Sequence, residues 1–501
     1  MICKTYDFAR HTIQDPIHGA ITFGTLEKAI IDHPLFQRLH SLRQNSLLFL
    51  IFPSANHTRF DHSIGVMALA SKYFDAILSN QEKICAAGSR RKGFQEPYRV
   101  DSNEVRDVVQ TLSQDCYFRI VVRVAALFHD IGHGPLSHLF DNFFPSSKQL
   151  IKFLKEPIYA HIKARLQSTP KSKIHKPVRH ETLSCVIATR VLLDCATQIK
   201  ENAVDPGNMV RDICAVIDER IPPSDYFTRF PFRANDLLHD IISGDLDADR
   251  MDYLLRDSHM CGVNYGLYDP DRILKSMCAY VDSKRRSLRV AMRYSGLGAF
   301  EDLILSRYQM HAQIYGHKTN RSCNAMLQRI RERLQNTSWS WHKGCKTMSA
   351  FLDTFCSLDD HTFINLLRDK KIDRGAGKIK EIAEFLFLKR KLYKRVYEER
   401  APFSENDTEA DNAVRRRWQR YKHQLKARRI PFAEDVFENK GVKVSSMNYP
   451  LKVLRKDPRE GYYLVHEVRE LSTVVRYIPE MERIYRVYCK SAYIKNAKQF
   501  V

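Results

Sequence analysis

The sequence lacks the features that mark a secreted or membrane-spanning protein. Its twelve cysteines are scattered, with no Cys-x-x-Cys pair and no closely spaced cluster, so a disulfide framework is not indicated. The longest apolar run, at residues 47–52, is too short to cross a bilayer. The first residues hold no apolar segment of the kind that a signal peptide requires, and no internal repeat is found. We therefore expect an intracellular protein, nuclear or cytoplasmic, with no membrane partner.

What the sequence does contain is a large apolar fraction and a strong excess of positive charge. At 501 residues and 44% hydrophobic composition, the chain can bury a large core and is expected to form two or more domains or lobes. It carries 80 Lys and Arg against 58 Asp and Glu, a formal net charge of +22. Such a charge favours polyanionic partners such as phosphates, nucleotides or nucleic acid, although it says nothing about the fold.

The hydrophobic pattern predicts a mainly α protein with a smaller mixed α/β C-terminal region. Apolar residues recur at helical spacing over residues 27–41, 63–78, 119–128, 181–195 and 300–314. Alternating or short β-rich segments predict strands at residues 287–292, 441–445 and 461–466. Polar, proline-containing or acidic stretches predict loops at residues 167–179 and 401–413. We place a domain boundary near residue 320, dividing the chain into residues 1–320 and 321–501.

The densest chemical signal lies at residues 127–138. This segment holds His129, Asp130, His133 and His138 next to the apolar stretch 124–128. Polar groups are costly beside an apolar core unless a metal or substrate satisfies them. A run of surface histidines is the alternative, which the apolar flank disfavours. The adjacent pair His129-Asp130 offers one nitrogen and one anionic oxygen ligand to a divalent cation.

Further ligands must come from distant parts of the chain. His62 stands at a loop-to-helix junction, and five aspartates, Asp249 among them, fall within residues 245–257. An acidic run is often a solvated face or a helix N-terminus, but its interleaved apolar residues favour partial burial and hence a partner charge. Together with His129 and Asp130 these residues would form a two-histidine, two-aspartate site. Such a donor set suits a borderline or hard divalent ion with positions left for water and phosphate.

Several phrases in one order resemble a known family. These phrases are residues 14–19, 36–39, 52–55, 58–63, 129–138, 180–181, 247–253, 311–318 and 483–490. In them the chain resembles the deoxynucleoside triphosphate triphosphohydrolases of the SAM-and-HD-domain type, within the HD-domain phosphohydrolases. The resemblance implies an HD-domain helical core at residues 1–320 and a regulatory or oligomerisation lobe at 321–501, and we expect no SAM domain. It also implies dNTP catabolism, while antiviral defence, nucleotide balance and replication-fork support would all look alike in the sequence.

The resemblance assigns the metal and the acid–base residues. It implies that His62, His129, Asp130 and Asp249 hold the divalent metal, which the sequence leaves open among iron, zinc, manganese and magnesium. The implied catalytic residues around the α-phosphate are His133, His138, His180 and Arg59. We predict His138 as the acid that protonates the leaving 5′-oxygen, because histidine titrates near the working pH. For His180, a core histidine capped by Glu181 is the alternative.

The resemblance also assigns the substrate contacts. Together with Arg59, arginines at 250 and 307 would bind a triphosphate accompanied by Mg²⁺, Gln44 would read the 3′-hydroxyl, and Tyr315 would exclude a 2′-hydroxyl. Arg250 replaces a lysine of the family pattern, which keeps the charge but changes the donor geometry. The implied substrate-binding residues are Gln44, Arg250, Tyr253, Asp257, Arg307, His311 and Tyr315. The products would be a deoxynucleoside and inorganic triphosphate.

Regulation is where the sequence departs from the family pattern. The resemblance implies a homotetramer bridged by activating nucleotides between subunits. The residues that fit the allosteric sites are Asp32, Gln37, Arg272, Arg293, His317, Lys318, Arg390 and Lys394. The departures are His11, Ala20, His40 and Ser295. We expect nucleotide-dependent assembly, while the departures leave open whether GTP or only dNTPs activate.

Two other functions compete with this assignment. Residues 414–429 interleave aromatic and cationic side chains, a pattern able to bind single-stranded nucleic acid. A solvated helix or a subunit contact is the alternative for this segment. The chain could therefore be a nucleic-acid-binding HD protein with a vestigial site. It could also be an HD phosphohydrolase acting on another nucleotide, such as a cyclic nucleotide or an alarmone.

Overall fold

The computed structural model describes residues 6–88, 98–100, 103–201, 204–335, 337, 339–369, 376–403, 409–439, 451–457, 463–478 and 481–500. Most of this chain is helical, with a few small sheets, which confirms the predicted fold class. No helix within these residues is long and apolar enough to cross a membrane.

The helices follow one another through the first two thirds of the chain and recur near its end. In order they are α1 (Thr25–Ile31), α2 (Pro34–Gln37), α3 (Arg59–Gly88), α4 (Asn103–Gln114), α5 (Cys116–Phe128), α6 (Ser147–Leu150), α7 (Ala160–Gln167), α8 (His180–Asp194), α9 (Ala196–Glu201), α10 (Pro206–Ile217), α11 (Asp225–Thr228), α12 (Asn235–Ser243), α13 (Ala248–Cys261), α14 (Pro270–Leu274), α15 (Leu297–Gln309), α16 (Lys318–Gln335), α17 (Met348–Cys356), α18 (Asp360–Arg368), α19 (Ala376–Phe387), α20 (Glu409–Ala427), α21 (Val468–Leu471), α22 (Thr473–Tyr477) and α23 (Ile494–Lys498). A π-helical segment, Met310–Tyr315, continues α15.

Three small sheets accompany the helices. Their strands are β1 (His11–Asp15), β2 (Gly19–Phe23), β3 (Tyr98–Arg99), β4 (Met277–Asp282), β5 (Ser287–Arg293), β6 (Lys394–Phe403), β7 (Phe432–Asn439), β8 (Lys452–Lys456), β9 (Tyr463–Glu467) and β10 (Met481–Cys489). β1 and β2 form a hairpin, β6, β10 and β7 form an antiparallel sheet in that order, and the third sheet runs β3-β4-β5-β8-β9. Its one parallel pair is β5 with β8.

The helical core is built around α3, which packs against α4, α5 and α13. α5 begins after Asp115, whose side chain accepts a hydrogen bond from the amide of Tyr117 and caps the helix. Every α5 residue from Tyr117 to Phe128 is buried except Arg119. The His-Asp pair therefore follows directly from the inner end of a buried helix.

The C-terminal antiparallel sheet has its own small core, and α20 packs on it. Trp418, Tyr421 and Leu425 lie at helical spacing on the buried face of α20. Trp418 donates a hydrogen bond to the Arg486 carbonyl, and Tyr421 to the Ala497 carbonyl. The sheet covers these aromatic side chains, so they are not exposed for stacking on bases. The alternative that residues 414–429 bind single-stranded nucleic acid stays a prediction, and the exposed residues of this segment are mainly cationic.

Other predicted elements are confirmed with shifted ends. The single helix expected over residues 27–41 is two helices and a 3₁₀ turn, because Pro34 cannot donate within a helix and instead begins α2. Of the loop expected over residues 401–413, residues 401–403 belong to β6 and residues 409–413 to α20, while 404–408 lie outside the described residues. The strand expected at 441–445 lies outside the described residues. The boundary near residue 320 falls inside α16 and stays a prediction.

Candidate active site

The four predicted metal ligands lie together where two helices begin and a third ends. His62 lies in the first turn of α3, Asp249 in the first turn of α13, and His129-Asp130 directly after α5. His62 Nε2 is 3.0 Å from Asp249 Oδ1 and 3.7 Å from Asp130 Oδ2. His129 Nε2 is 3.5 Å from Asp130 Oδ2 and 3.9 Å from Asp249 Oδ1. We call these four residues the HD cluster.

The hydrogen bonds of His129 prepare it as a ligand. Its Nδ1 lies 2.7 Å from the Ala126 carbonyl oxygen, which can only accept, so Nδ1 carries the proton. In the neutral imidazole the lone pair is then on Nε2, which is buried and faces the carboxylates of Asp130 and Asp249. Burial disfavours the charged form of His129, but these carboxylates outweigh burial and raise its pKa, so the position favours a cation. His62, His129 and Asp130 place one ligand atom each within 4.8 Å of one another and could hold a divalent metal, and their mixed nitrogen and oxygen donors suit several metals.

The electrostatics of the HD cluster are dominated by its carboxylates. Burial disfavours the charged form of His62, but hydrogen bonds with Asp249 and Asp252 outweigh burial and raise the pKa of His62 to about 10. Burial also opposes the carboxylate of Asp130, but Arg59 and the neighbouring histidines hold its pKa well below the usual value. The cluster thus keeps its carboxylates ionised and attracts positive charge.

A second layer of residues, which the sequence did not assign, supports His62. Asp252 Oδ2 lies 2.7 Å from His62 Nδ1, and Asp252 Oδ1 lies 2.6 Å from His18 Nε2. Arg256 donates two hydrogen bonds to Asp252 and one to Asp15. Such outer contacts fix a histidine ligand's tautomer and orientation. Two features of the sequence could have indicated these residues. Asp252 follows Asp249 by three residues, and His18 lies in the segment 14–19 that matches the family.

A glycine on α3 makes this layer possible. A Cβ atom at Gly65 would lie 2.1 Å from Asp252 Oδ1 and 2.2 Å from Arg256 Nη2. No other residue type leaves room for the carboxylate and the guanidinium to approach α3 so closely.

Beside the HD cluster lies a histidine triad, which we define as His133, His138 and His180, with Asp141 next to it. The rings of His133 and His180 stack with centroids 3.8 Å apart, and His138 lies 4.8 Å and 5.3 Å from them. His138 Nδ1 is 3.3 Å from Asp141 Oδ2. This group is a second set of side chains whose ligand atoms lie close enough to hold an ion.

Two contacts bring α8 and its His180 to the loop after Asp130. A Cβ atom at Gly132 would lie 2.2 Å from the His180 carbonyl oxygen, so only glycine permits this approach. Ser184 accepts a hydrogen bond from the Gly132 amide and donates one to the His129 carbonyl. The predicted neighbourhood of His180 and the His-Asp loop is therefore present.

The triad differs in charge from the HD cluster. Burial, with help from Arg59 and His180, lowers the pKa of His133 well below its usual value. Burial also lowers the pKa of His180 to about 4. The alternative role of His180 as a core histidine capped by Glu181 is not supported by a hydrogen bond, since the shortest distance is 3.6 Å. Only His138 is largely solvent-exposed, at 71% of its side chain.

Arg59 lies between the two groups. Its Nη1 donates to Asp130 Oδ2 and its Nη2 donates to Ser137 Oγ at 2.9 Å. In this structure it holds a carboxylate of the HD cluster, and the phosphate contact predicted for it stays a prediction.

The predicted sugar-reading residues share a cavity with the triad. Gln44, His138 and Tyr315 all line a cavity of about 260 Å³. The Tyr315 hydroxyl donates to Asp257, whose other oxygen lies 2.6 Å from His57 Nε2. His57, buried and not assigned from the sequence, thereby helps to fix the tyrosine that lines the cavity. The ring of His311 lies 5.1 Å from that of Tyr315.

The predicted triphosphate arginines lie near α13. Arg250 donates to the carbonyls of Gly244 and Asp245, and it forms an ion pair of 3.0 Å with Asp247. Arg307 is buried near Tyr253, and burial lowers the pKa of Arg307.

The predicted allosteric residues lie in three places. Asp32 pairs with Lys28, and Gln37 donates to the Ile31 carbonyl. Arg272 donates to the Ser295 carbonyl, and Arg293 to the Lys275 carbonyl.

A third set borders residues 48–52: Arg390 donates to the Leu50 carbonyl, and the His317 ring is 6.3 Å from that of Phe52. Lys318 begins α16 and Lys394 begins β6. The departing residue His40 stacks on Phe60.

Comparisons with known proteins support the HD-domain phosphohydrolase superfamily. The profile of a family described as "HD associated region" matches residues 269–425. An uncharacterized protein of Methanocaldococcus jannaschii is 29% identical over 320 residues, which cover 63% of this chain and 48% of that protein. The deoxynucleoside triphosphate triphosphohydrolase SAMHD1 of Xenopus laevis is 28% identical over 340 residues, 65% of this chain and 46% of that protein. The chain thus spans about half the length of these curated relatives.

The fold has a solved counterpart. A hypothetical protein from Aquifex aeolicus matches with a TM-score of 0.62 at 23% identity, covering 98% of this chain and 99% of that one. This likeness shows the fold alone.

Proposed function

We propose that the chain is a metal-dependent dNTP triphosphohydrolase, which cleaves a dNTP to a deoxynucleoside and inorganic triphosphate. The observation that carries the proposal is the position of Asp130. It belongs to the HD cluster, and its Oδ1 also lies 3.3 Å from His133 Nε2 of the triad. A metal site, phosphate-binding imidazoles and the Gln44–Tyr315 cavity are thereby contiguous. The SAMHD1 relative of Xenopus laevis is named a deoxynucleoside triphosphate triphosphohydrolase, which agrees with such an arrangement.

The HD cluster residues His62, His129, Asp130 and Asp249 would hold the cation. When bound there, a divalent metal supplies charge neutralisation at phosphate and lowers the pKa of a coordinated water. The chain's own contribution is to keep both carboxylates ionised and to fix the His129 lone pair toward the site, as the hydrogen bonds above describe.

The three histidines of the triad would have different roles at the phosphate and the leaving group. His133 and His180 have lowered pKa values and are neutral at pH 7, so each offers an N–H to a phosphate oxygen but no spare proton. His138 is exposed to solvent, and it lines the cavity. It is placed to deliver the proton that the leaving 5′-oxygen needs.

Sugar selection would fall to the cavity. The Tyr315 hydroxyl donates a hydrogen bond to Asp257, which His57 contacts in turn. A ring fixed in this way cannot move aside for an extra hydroxyl, so a ribose would be rejected by contact. Gln44 lines the same cavity, and its Oε1 is buried without a hydrogen-bond partner, which suits it to accept from a sugar hydroxyl.

The test is an assay for inorganic triphosphate. The purified protein is incubated with each dNTP, each NTP and a cyclic nucleotide, with Mg²⁺, Mn²⁺ or Fe²⁺ supplied in turn. We expect triphosphate from dNTPs alone, and none from Asp130→Ala. Asp194→Asn serves as the control, because it alters an exposed aspartate paired with Arg190 and should retain activity. Hydrolysis of the cyclic nucleotide without triphosphate release would instead favour another HD reaction, and activity left in Asp130→Ala would contradict the metal assignment.

The sugar assignment has a sharper variant. Tyr315→Ala should open the cavity to ribose, so the ratio of NTP to dNTP hydrolysis should rise by about tenfold or more, as expected for a pocket that loses one steric contact. An unchanged ratio with retained dNTP hydrolysis would remove Tyr315 from the selection of substrate.

Nucleotide-dependent assembly into a homotetramer is part of the same proposal. The third set of allosteric candidates is His317, Lys318, Arg390 and Lys394, of which Arg390 donates to the Leu50 carbonyl and His317 lies beside Phe52. Tetramer content is titrated against GTP and each dNTP by analytical ultracentrifugation. We expect it to rise with at least one nucleotide, and equal tetramer with none present would contradict the regulatory part.

A further inference from the structure

A second cavity lies away from the candidate active site and shares no lining residue with it. It has a volume of about 530 Å³ and is bordered by the loop before α12 and by the turn between β4 and β5. This volume is within the range of small-molecule sites in proteins. Arg233 pairs with that turn through its backbone: its amide donates to the Arg286 carbonyl, and its carbonyl accepts from the Leu288 amide. The two borders of the cavity are therefore fixed to each other.

The walls of this cavity are apolar and rich in rings. Phe227 and Phe232 are buried, Phe230 is half-buried, and three prolines lie between or beside them. Phe227 and Phe230 in turn pack against Phe118 of α5, with ring centroids 5.2 Å and 5.7 Å away. Rigid aromatic walls of this kind suit a flat ring.

The rim of the cavity is positive. Four of its lining residues are arginines, at 220, 233, 285 and 286, against one acid, Glu219. Arg220 is engaged by Asp218 at 2.6 Å and Arg233 by Asp236 at 3.0 Å. Arg285 is 47% exposed and pairs with Asp282 at 3.9 Å. Arg286 donates one hydrogen bond to the Pro231 carbonyl. An anion at the rim would meet more guanidinium groups than carboxylates.

One polar atom of the lining is buried and lacks a partner. Asn235 is 1% exposed, and its Nδ2 donates to Asp236 at 3.2 Å. Its Oδ1 is buried and accepts no hydrogen bond. A buried acceptor left in this way costs free energy that a ligand N–H would recover.

From these features we infer that the cavity is a binding site for a small heteroaromatic anion, of the class that mononucleotides represent. The ring lies between the phenylalanine and proline walls, a ring-bound N–H donates to Asn235 Oδ1, and the anionic group meets Arg285 and Arg286. Because the site is separate from the HD cluster, such a ligand would act beside the proposed reaction and not as its substrate.

The test uses three probes that separate the contribution of the aromatic ring to binding from that of the negative charge. AMP carries a ring with an amino N–H and a phosphate, adenosine lacks the anion, and inorganic phosphate lacks the ring. Binding of each to the full chain is measured by isothermal titration calorimetry at one fixed salt concentration. We expect AMP to bind about tenfold or more tightly than either fragment, since a hydrogen bond to a charged group contributes on this scale. Phosphate binding as tightly as AMP would overturn the role of the aromatic walls.

Matched variants locate the binding. Arg285→Ala with Arg286→Ala should weaken AMP binding by about tenfold or more, while Lys284→Ala, on the same turn but outside the cavity lining, should leave it unchanged. Asn235→Ala should weaken AMP and adenosine alike. AMP binding that survives the arginine changes but is lost in Tyr315→Ala would place the nucleotide in the candidate active site and overturn the inference.

Discussion

The HD cluster and the histidine triad use the same residue types and differ in charge. In the HD cluster each histidine faces carboxylates, and the pKa of His62 is raised to about 10. In the triad two imidazoles face each other, and burial lowers the pKa of His180 to about 4. The two groups touch through Asp130 and His133. The contrast shows that an imidazole's neighbours decide whether it supports a cation or offers a neutral N–H to a phosphate.

The largest expected effects come from replacing one residue in each group and comparing metal binding with activity. Asp130→Asn should lose both bound metal and dNTP hydrolysis, the latter by on the order of 10³-fold or more, because loss of even one stabilising contact in a transition state costs 10²–10³-fold. His180→Asn should keep the metal and lose activity by about 10²-fold or more. Metal content by plasma emission spectrometry and triphosphate release are measured on the same samples. Loss of metal from His180→Asn would show that the triad also holds an ion.

A weaker effect concerns stability against pH in protein stripped of metal with a chelator. The folded pKa of His180, about 4, lies below its usual value of 6.5, so the unfolded chain binds that proton more readily. The free energy of unfolding should therefore fall as pH decreases from 6.5 to 4, by up to about 3 kcal/mol from this group. Urea unfolding of the natural chain and of His180→Asn at pH 7, 5.5 and 4.5 should show the smaller loss in the variant.

The HD cluster should show the opposite slope. His62 has a folded pKa above its usual value, so its stabilisation is fully present below pH 6.5 and is lost as pH rises toward 10. The same urea series extended to pH 9.5 should show stability falling in the natural chain and falling less in His62→Asn. Equal slopes in both proteins would mean that the two groups do not differ in the way described.

The smallest expected effect sharpens the role of the outer layer. Asp252→Asn keeps the side-chain size but weakens the contacts with His62 and His18, so metal affinity should drop by about 10- to 100-fold. Metal competition titrations with a chromogenic chelator give the affinity, and Asp302→Asn, at an exposed position of α15, is the control. An unchanged affinity would limit Asp252 to supporting the fold.

Much of the candidate site could be predicted because its residues come in short, recognisable segments. The segments around His62, the His129-Asp130 pair and Asp249 each carry a local pattern, and the structure places them within one cluster. The supporting contacts could not be found in this way, since nothing local connects His18 with Asp252. Their meeting depends on the packing of the first hairpin and α13 around α3.

In the C-terminal helix α20, the local sequence pattern suggested a role that the tertiary structure does not favour. Its alternating cations and aromatics fit a nucleic-acid-binding segment, yet Trp418, Tyr421 and Leu425 lie on one helical face that the sheet covers. The helical spacing of these residues was visible in the sequence. What was not visible was that β6, β10 and β7 would form a sheet beneath them, since the pairing of β6 with β10 joins residues far apart in the chain.

The sequence alone predicted the fold class, which the structure confirms, and a candidate donor set of two histidines and two aspartates with three more histidines nearby. The tertiary structure alone decided which imidazole faces a carboxylate and which faces another imidazole. It also decided that Arg59 holds Asp130 and that a second, arginine-rimmed cavity exists. The reason is physical, since pKa values, buried lone pairs and cavities depend on distances through space, and these distances are set by packing between segments that are remote in sequence.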